Sequence, residues 1–302
     1  MESGKNLQGD ILSETAAHLS AILGPEMNEL IVERAVIGLF FSGVKLSNGE
    51  GGICFTPVKE IPEAVCCPSS GRTMPNSGNL GGQPVTQYMR WLQQGGPLQR
   101  ALGIAVLNAL SCTYWRKNPP TQYNLKKRVD PIENRVIPDD SVVVVIGALI
   151  PYIRMLKRRG RPFFILEKDA RTLKKDEMKY YRPQEKAREC LASADLLIVT
   201  GTTLINNTLE DILEQKRDRA EAVLVGPTAS MLPEAFFRRG VDAIGGVTVI
   251  DPDKLLDTLS EAGSGYHFYG KSAERLVIDR DKKDVFDTPH LLRTSRIPGL
   301  RE

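Results

Sequence analysis

Three observations predict an α/β chain in which a Rossmann-like parallel sheet domain follows a smaller α+β domain. From residue 142 onward, short runs of Val, Ile and Leu alternate with amphipathic stretches of helical length. Those runs are continuously apolar, as strands are when helices cover both faces of a parallel sheet. The residues before about 118 follow another rhythm, with an Asn-Gly turn between two β-prone runs and helices around them.

In chain order, an amphipathic helix is expected from Asp10 to Leu23. The segments Ile31–Val44 and Gly52–Val58 read as strands flanking the loop Leu46-Ser-Asn-Gly-Glu-Gly-Gly52, a hairpin signal. Residues 68–84 are rich in Gly, Pro, Ser and Asn and predict no regular element. Helices at 84–94 and 97–116 each carry Pro in the first turn, where the missing N–H is harmless. The stretch 118–140 contains four prolines and many charges, the signature of a linker or crossing arm. Beyond it, strands are predicted at 142–146, 163–166, 196–199, 223–225 and 247–250. Helices fall at 150–159, 183–192, 204–217, 232–238 and 252–262. The expected division is 1–125 for the α+β domain, 126–280 for the Rossmann-like domain and 281–302 for a C-terminal tail.

Composition narrows the function. Forty basic and thirty-seven acidic residues leave a formal net charge of +3, without the concentrated basic face that nucleic-acid binding needs. The longest apolar run, Val142–Ile150, is too short for a membrane span. No secretory signal stands at the N-terminus. Five cysteines make no disulfide framework in 302 residues. The expectation is a cytoplasmic protein with a small-molecule or metal-chelate ligand, no nucleic-acid partner and no membrane span. Self-association into a homo-oligomer is open.

Ligands of open parallel sheets bind beyond the carboxyl ends of the strands. Four loops stand there: Gly147–Tyr152, Glu167–Asp169, Thr200–Thr208 and Gly226–Ser230. In the third, Gly201 permits a tight turn, expected at the surface and tolerant of a larger residue. Thr202 and Thr203 either cap the following helix or hold an anion with the free N–H groups. Gly226-Pro227-Thr228 reads equally as a turn or a ligand loop. Glu167 follows Gly147 by twenty positions, the spacing of a ribose-binding carboxylate, but the second and third glycines of the dinucleotide fingerprint are missing. Glu167 is either a solvated strand-end carboxylate or a ligand for a hydroxyl, an amine or a metal. Cys66-Cys67 is the single clustered soft pair, without the further ligands of a closed metal site. Cys54 and Cys112 sit in apolar settings and read as core. Lys157-Arg-Arg-Gly-Arg161 closes a helix, where cations complement the dipole.

Taken in order, Leu102-Gly-Ile-Ala-Val-Leu-Asn-Ala109, Gly147-Ala-Leu-Ile-Pro-Tyr152, Ile165-Leu-Glu167, Thr200–Leu209 and Val225–Pro233 resemble the putative heavy-metal chelation domain family. The likeness runs from about Val32 to Asp251. It implies an N-terminal domain similar to the small α+β domain that precedes the barrel in enolases. It also implies a cleft between that domain and the Rossmann-like one. Carried over by residue, the cleft set is Asn108, Gly147, Pro151, Glu167, Thr200, Gly201, Thr202, Gly226 and Pro227; the loop reading adds Thr203 and Thr228 as ligand contacts, and the residues themselves leave Glu167, Cys66 and Cys67 as metal candidates. No catalytic residue is assigned, and the cofactor is open between none, a heavy-metal ion and a metal chelate. Two readings of function follow. One is a protein that binds or processes a small anionic molecule or metal chelate, with a role in heavy-metal chelation. The other is a Rossmann-type transferase or lyase acting on a nucleotide- or pterin-like ligand.

Overall fold

The computed structural model describes residues 9–60, 74–133 and 135–280. Helix α1 (Ile11–Leu23) begins at Asp10, whose carboxylate accepts the Ser13 N–H at 2.7 Å and caps the first turn. After α2 (Pro25–Glu29), strands β1 (Ile31–Ile37), β2 (Phe41–Leu46) and β3 (Gly51–Phe55) form an antiparallel meander. The two-residue strand β4 (Gln83–Pro84) pairs with the free edge of β1, giving the order β3-β2-β1-β4. The Asn48-Gly49 turn joins β2 to β3 as expected. The apolar run expected as one strand from Ile31 to Val44 is instead a hairpin that turns at Gly38-Leu39-Phe40.

Helices α3 (Val85–Gln94) and α4 (Pro97–Lys117) pack on this sheet and on each other. Every residue of α4 from Ala101 to Thr113 is buried. A helix apolar on all sides must be enclosed on all sides. One side of α4 meets β2 and β3, and its core continues into the second, larger sheet.

The larger sheet comprises β5 (Tyr123–Lys127), β6 (Val143–Ile146), β7 (Phe163–Leu166), β8 (Tyr181–Arg182), β9 (Leu196–Thr200), β10 (Glu221–Val225), β11 (Ala243–Val249) and β12 (Ala273–Arg280). Between them lie α5 (Ile150–Arg159), α6 (Ala187–Ser193), α7 (Leu209–Gln215), α8 (Glu234–Arg238), α9 (Pro252–Ser260) and α10 (Gly265–Phe268). The strand order is β5-β12-β11-β10-β9-β6-β7-β8. The six strands from β11 to β8 are parallel, and β12 and β5 extend one edge antiparallel. Alternate residues of the central strands face opposite cores. Val144, Leu197 and Leu224 pack toward α4, whereas Val143, Val145, Ile198 and Val223 pack with Ile153 and Leu156 of α5. Both faces are dry, which is why these strands read as unbroken apolar runs.

Beyond that hairpin, three differences concern the linker, the loop after β9 and the start of β11. The stretch expected as a linker carries β5, an edge strand that buries Tyr123 and leaves Asn124, Lys126 and Lys127 exposed. The helix expected from Leu204 starts at Leu209. Gly201–Leu204 is a short 3₁₀ turn, and Asn207, at φ +54°, breaks the chain direction before α7. β11 begins four residues before Val247, because Gly245 and Gly246 continue the pairing. No helix among the described residues is long and apolar enough to cross a membrane.

Candidate functional site

The chain runs outward from β6 to β7 and β8, then returns to the other side of β6 to lay down β9, β10 and β11. The reversal lies between β6 and β9. At such a switch point the two following loops diverge to opposite faces and leave a crevice at the carboxyl ends.

Gly147 and Thr200 end these two strands, and they touch. A Cβ at Gly147, where φ is +96°, would stand 2.8 Å from Thr200 Cγ2. Only glycine fits, on both conformational and steric grounds. The Thr200 hydroxyl accepts the Thr202 N–H at 3.4 Å and the Thr202 hydroxyl proton at 3.2 Å. Among the described residues its own proton has no acceptor. Thr203 is buried and donates its hydroxyl to the Thr200 carbonyl at 2.7 Å, so it shapes the turn from within. Thr202 remains half-buried at the surface of the loop.

On the next strand, Gly226 adopts φ +122°, and a Cβ there would lie 3.9 Å from the Gly201 nitrogen. Gly201 itself is buried, with its Cβ direction 3.1 Å from Thr228 Cβ. The expected surface turn at Gly201 is thereby corrected: a larger residue would collide with the neighbouring turn, and Gly201→Val would disturb the fold. Pro227 and Thr228 are also buried. The Thr228 hydroxyl accepts the Phe55 N–H at 3.1 Å, which fastens this turn to β3.

Glu167 ends β7, beside β6, and is half-buried. One of its carboxylate oxygens accepts the Asp169 N–H at 3.0 Å. Asp169 is held well below the usual carboxylate range by Arg171 and then Lys59. The Lys59 contact, 3.2 Å long, ties the segment after β3 to the loop after β7. Asn108 lies on α4 below the surface, 2% exposed. Its amide donates to the carbonyls of Ile53, Pro227 and Thr228 at 2.8, 3.3 and 3.2 Å. It acts on the rim only through that turn. Pro151 is exposed in the first turn of α5 and faces a separate cavity, shared with Gly226.

The structure therefore gathers Gly147, Thr200, Gly201, Thr202, Gly226 and Thr228 around one point, with Glu167 on the adjoining strand. Asn108, Thr203 and Pro227 support that rim from within. Cys66 and Cys67 lie outside the described residues. The three described thiols are poor thiolates: burial pushes Cys54 far up, Cys112 up to about 12, and Cys190 upward. Among the described residues, no group of three His, Cys, Asp or Glu side chains could hold a metal ion. Hydroxyl, backbone and lone-carboxylate groups do not suit a thiophilic ion bound directly.

Fold and rim together define an α/β protein with a switch-point crevice whose loops lack the usual dinucleotide glycines. Two family models, both described as "Putative heavy-metal chelation", match residues 21–111 and 130–278. The chain belongs to this family. An uncharacterized protein of Methanocaldococcus jannaschii is 31% identical over 180 residues, 58% of this chain and 64% of that protein. The match thus spans under two thirds of the relative's length. A DUF364-family protein of unknown function from Pyrococcus horikoshii has a similar structure, with TM-score 0.69 and 19% identity, covering 89% of this chain and 99% of the other. A second, from Desulfitobacterium hafniense, gives TM-score 0.60 and 17% identity over 87% of this chain and 98% of the other. These likenesses establish the fold.

Proposed function

We propose that this protein binds a small anionic molecule, in the form of a metal chelate, at the carboxyl-end rim between β6 and β9. The observation that carries this reading is the Thr200 hydroxyl proton, without an acceptor among the described residues, at the switch point, with the Glu167 carboxylate after β7 on the far side of β6. A donor for an anion on one side of β6 and an acceptor of opposite preference on the other suit a ligand of mixed charge that spans the strand end. A metal already wrapped in an organic acid is such a ligand. The chelator supplies the inner ligands that the described residues lack, and the family description is in keeping with that role.

Calorimetric titration with citrate, and with citrate loaded with nickel(II), tests the reading. The loaded form should bind the wild type. Thr200→Val keeps the side-chain shape, and removing its hydroxyl should weaken binding about tenfold, ~1.4 kcal/mol. Glu167→Gln keeps shape and acceptor while removing charge, so it should weaken the nickel-loaded form more than free citrate. Both variants binding as tightly as wild type would place the site elsewhere.

The vicinal thiols give an independent check. Cys66→Ser combined with Cys67→Ser should leave metal content, read by elemental analysis of the purified protein, unchanged. Loss of a stoichiometric metal from that variant would move the site to the thiols.

A further inference from the structure

Beside the β6–β9 rim, with Gly226 common to both, a cavity of about 180 Å³ opens where α5, β12 and the carboxyl end of β10 approach one another. Asp130, Tyr152, Tyr269 and Arg275 line it together with the apolar side chains of Leu149 and Pro151. Its floor is backbone, at Gly226 and at Gly245 and Gly246 of β11.

The polar groups are unequally committed. Asp130 has little accepting capacity left. One oxygen takes the N–H groups of Ile132 and Glu133 at 2.9 and 3.1 Å, and the other takes the Tyr152 hydroxyl at 3.0 Å. Arg275 is the reverse. Its side chain is half-exposed, its nearest carboxylate oxygen, on Asp130, is 3.9 Å away, and it lies over the Tyr269 ring at 5.3 Å. Among the described residues neither the Arg275 guanidinium nor the Tyr269 hydroxyl has a hydrogen-bond partner. Burial raises the titration of both tyrosines, so both hydroxyls stay protonated at neutral pH. No side chain caps the N-terminus of α5, whose first turn contributes Leu149, Pro151 and Tyr152 to the wall. Spare donors thus outnumber spare acceptors, and the missing partner is an anion.

Charge and size restrict that anion. Asp130, 3.9 Å away, offsets much of the Arg275 charge, which disfavours a dianion such as phosphate and suits a single negative charge. A guanidinium with its fork free pairs best with a carboxylate, through two parallel hydrogen bonds. The volume is well below the roughly 300–1,000 Å³ of pockets for drug-sized ligands. Tyrosine rings, Leu149 and Pro151 surround the remainder, so the body of the ligand is apolar and compact. We propose that this cavity binds a small monocarboxylate with a flat apolar body, its carboxylate on Arg275 and its body between Tyr152, Tyr269 and Leu149. The inference stands on the cavity alone, independently of Thr200 and Glu167.

Benzoate is the probe, with benzamide as its neutral counterpart and benzylamine as the cation, followed by ligand-observed NMR and calorimetry. The full chain should bind benzoate saturably, benzamide at least tenfold more weakly, and benzylamine not at all. Arg275→Gln should lose at least tenfold in benzoate affinity. Arg275→Lys keeps the charge without the fork and should fall between wild type and Arg275→Gln. Thr200→Val and Glu167→Gln should bind benzoate as wild type does, so failure at the β6–β9 rim and failure here are separable. Equal affinity for benzoate and benzamide would overturn the proposal, as would undiminished binding in Arg275→Gln. Displacement of benzoate by an equal concentration of inorganic phosphate would also overturn it, reducing the site to an unselective anion contact.

Discussion

Gly52→Ala is expected to destabilise the protein by on the order of 3 kcal/mol or more, enough to remove a large part of a typical total of about 5–15 kcal/mol. Gly52 lies in β3 opposite Val44, with α4 crossing directly above it. A methyl group there would stand 1.9 Å from the Ala105 carbonyl oxygen and 2.8 Å from the Ala109 nitrogen. Both are backbone atoms of a helix, so no rotamer change relieves the contact. Nor can the helix retreat, because its opposite side is fixed to the larger sheet's layer. There the Ser111 hydroxyl accepts the Leu232 N–H at 3.1 Å. The methyl must therefore separate β3 from α4. Gly49→Ala is the control. Its φ of +85° strains an alanine, but nothing lies within 4 Å of the new methyl, so the cost is conformational, about 1–2 kcal/mol. Urea unfolding compares the two. A midpoint for Gly52→Ala at or above that of Gly49→Ala would show that the two layers are not closely packed at this point.

The parallel strands were legible because burial on two faces leaves a simple mark, an unbroken apolar run. Val143–Ile146, Phe163–Leu166 and Leu196–Val199 all fall where the pattern puts them. Edge strands carry no such mark. β5 buries one side chain of five, and the two-residue β8 is too short to show a pattern. β12 begins Ala-Glu-Arg before its apolar run and follows a short helix that the periodicity did not suggest. The same blindness hid most of the cavity. Tyr152 belongs to a loop that the strand-end rule singles out. Asp130 stands in a stretch read as linker, Arg275 lies in a strand that was not expected and Tyr269 just before it, so only the topology brings them together. At the rim, the loops were correctly located, but burial within them was not readable. Gly201 and Thr228 look like surface turn residues in sequence and are covered because β3 and α4 press against the turn after β10.

Asn108 is the joint of that arrangement, and its substitutions should separate two physical roles. Its amide nitrogen serves three carbonyls from two different layers: Ile53 in β3, and Pro227 and Thr228 beyond β10. Its side-chain oxygen is buried without a partner among the described residues, so the side chain acts here purely as a donor. Asn108→Ala should cost roughly 2–4 kcal/mol, from a small cavity and three carbonyls deprived of a donor. Asn108→Asp is nearly the same shape but should cost more at neutral pH, because an ionised carboxylate would face carbonyl oxygens in a dry interior. Burial against those carbonyls raises the folded pKa of such an aspartate above its unfolded value. Folding then favours its protonated form. Relative to Asn108→Ala, the variant gains stability below the unfolded pKa and loses it as pH rises through the folded one. Thermal unfolding of both variants across acidic to neutral pH measures this difference. If Asn108→Asp melts no lower than Asn108→Ala at neutral pH, the amide is not the donor that holds the turn. If it does melt lower, the position of Gly226 and Gly201 at the rim depends on a residue that never reaches the surface. Titrating the alanine variant with nickel-loaded citrate should then show weaker binding than wild type, with Thr200 and Glu167 both intact.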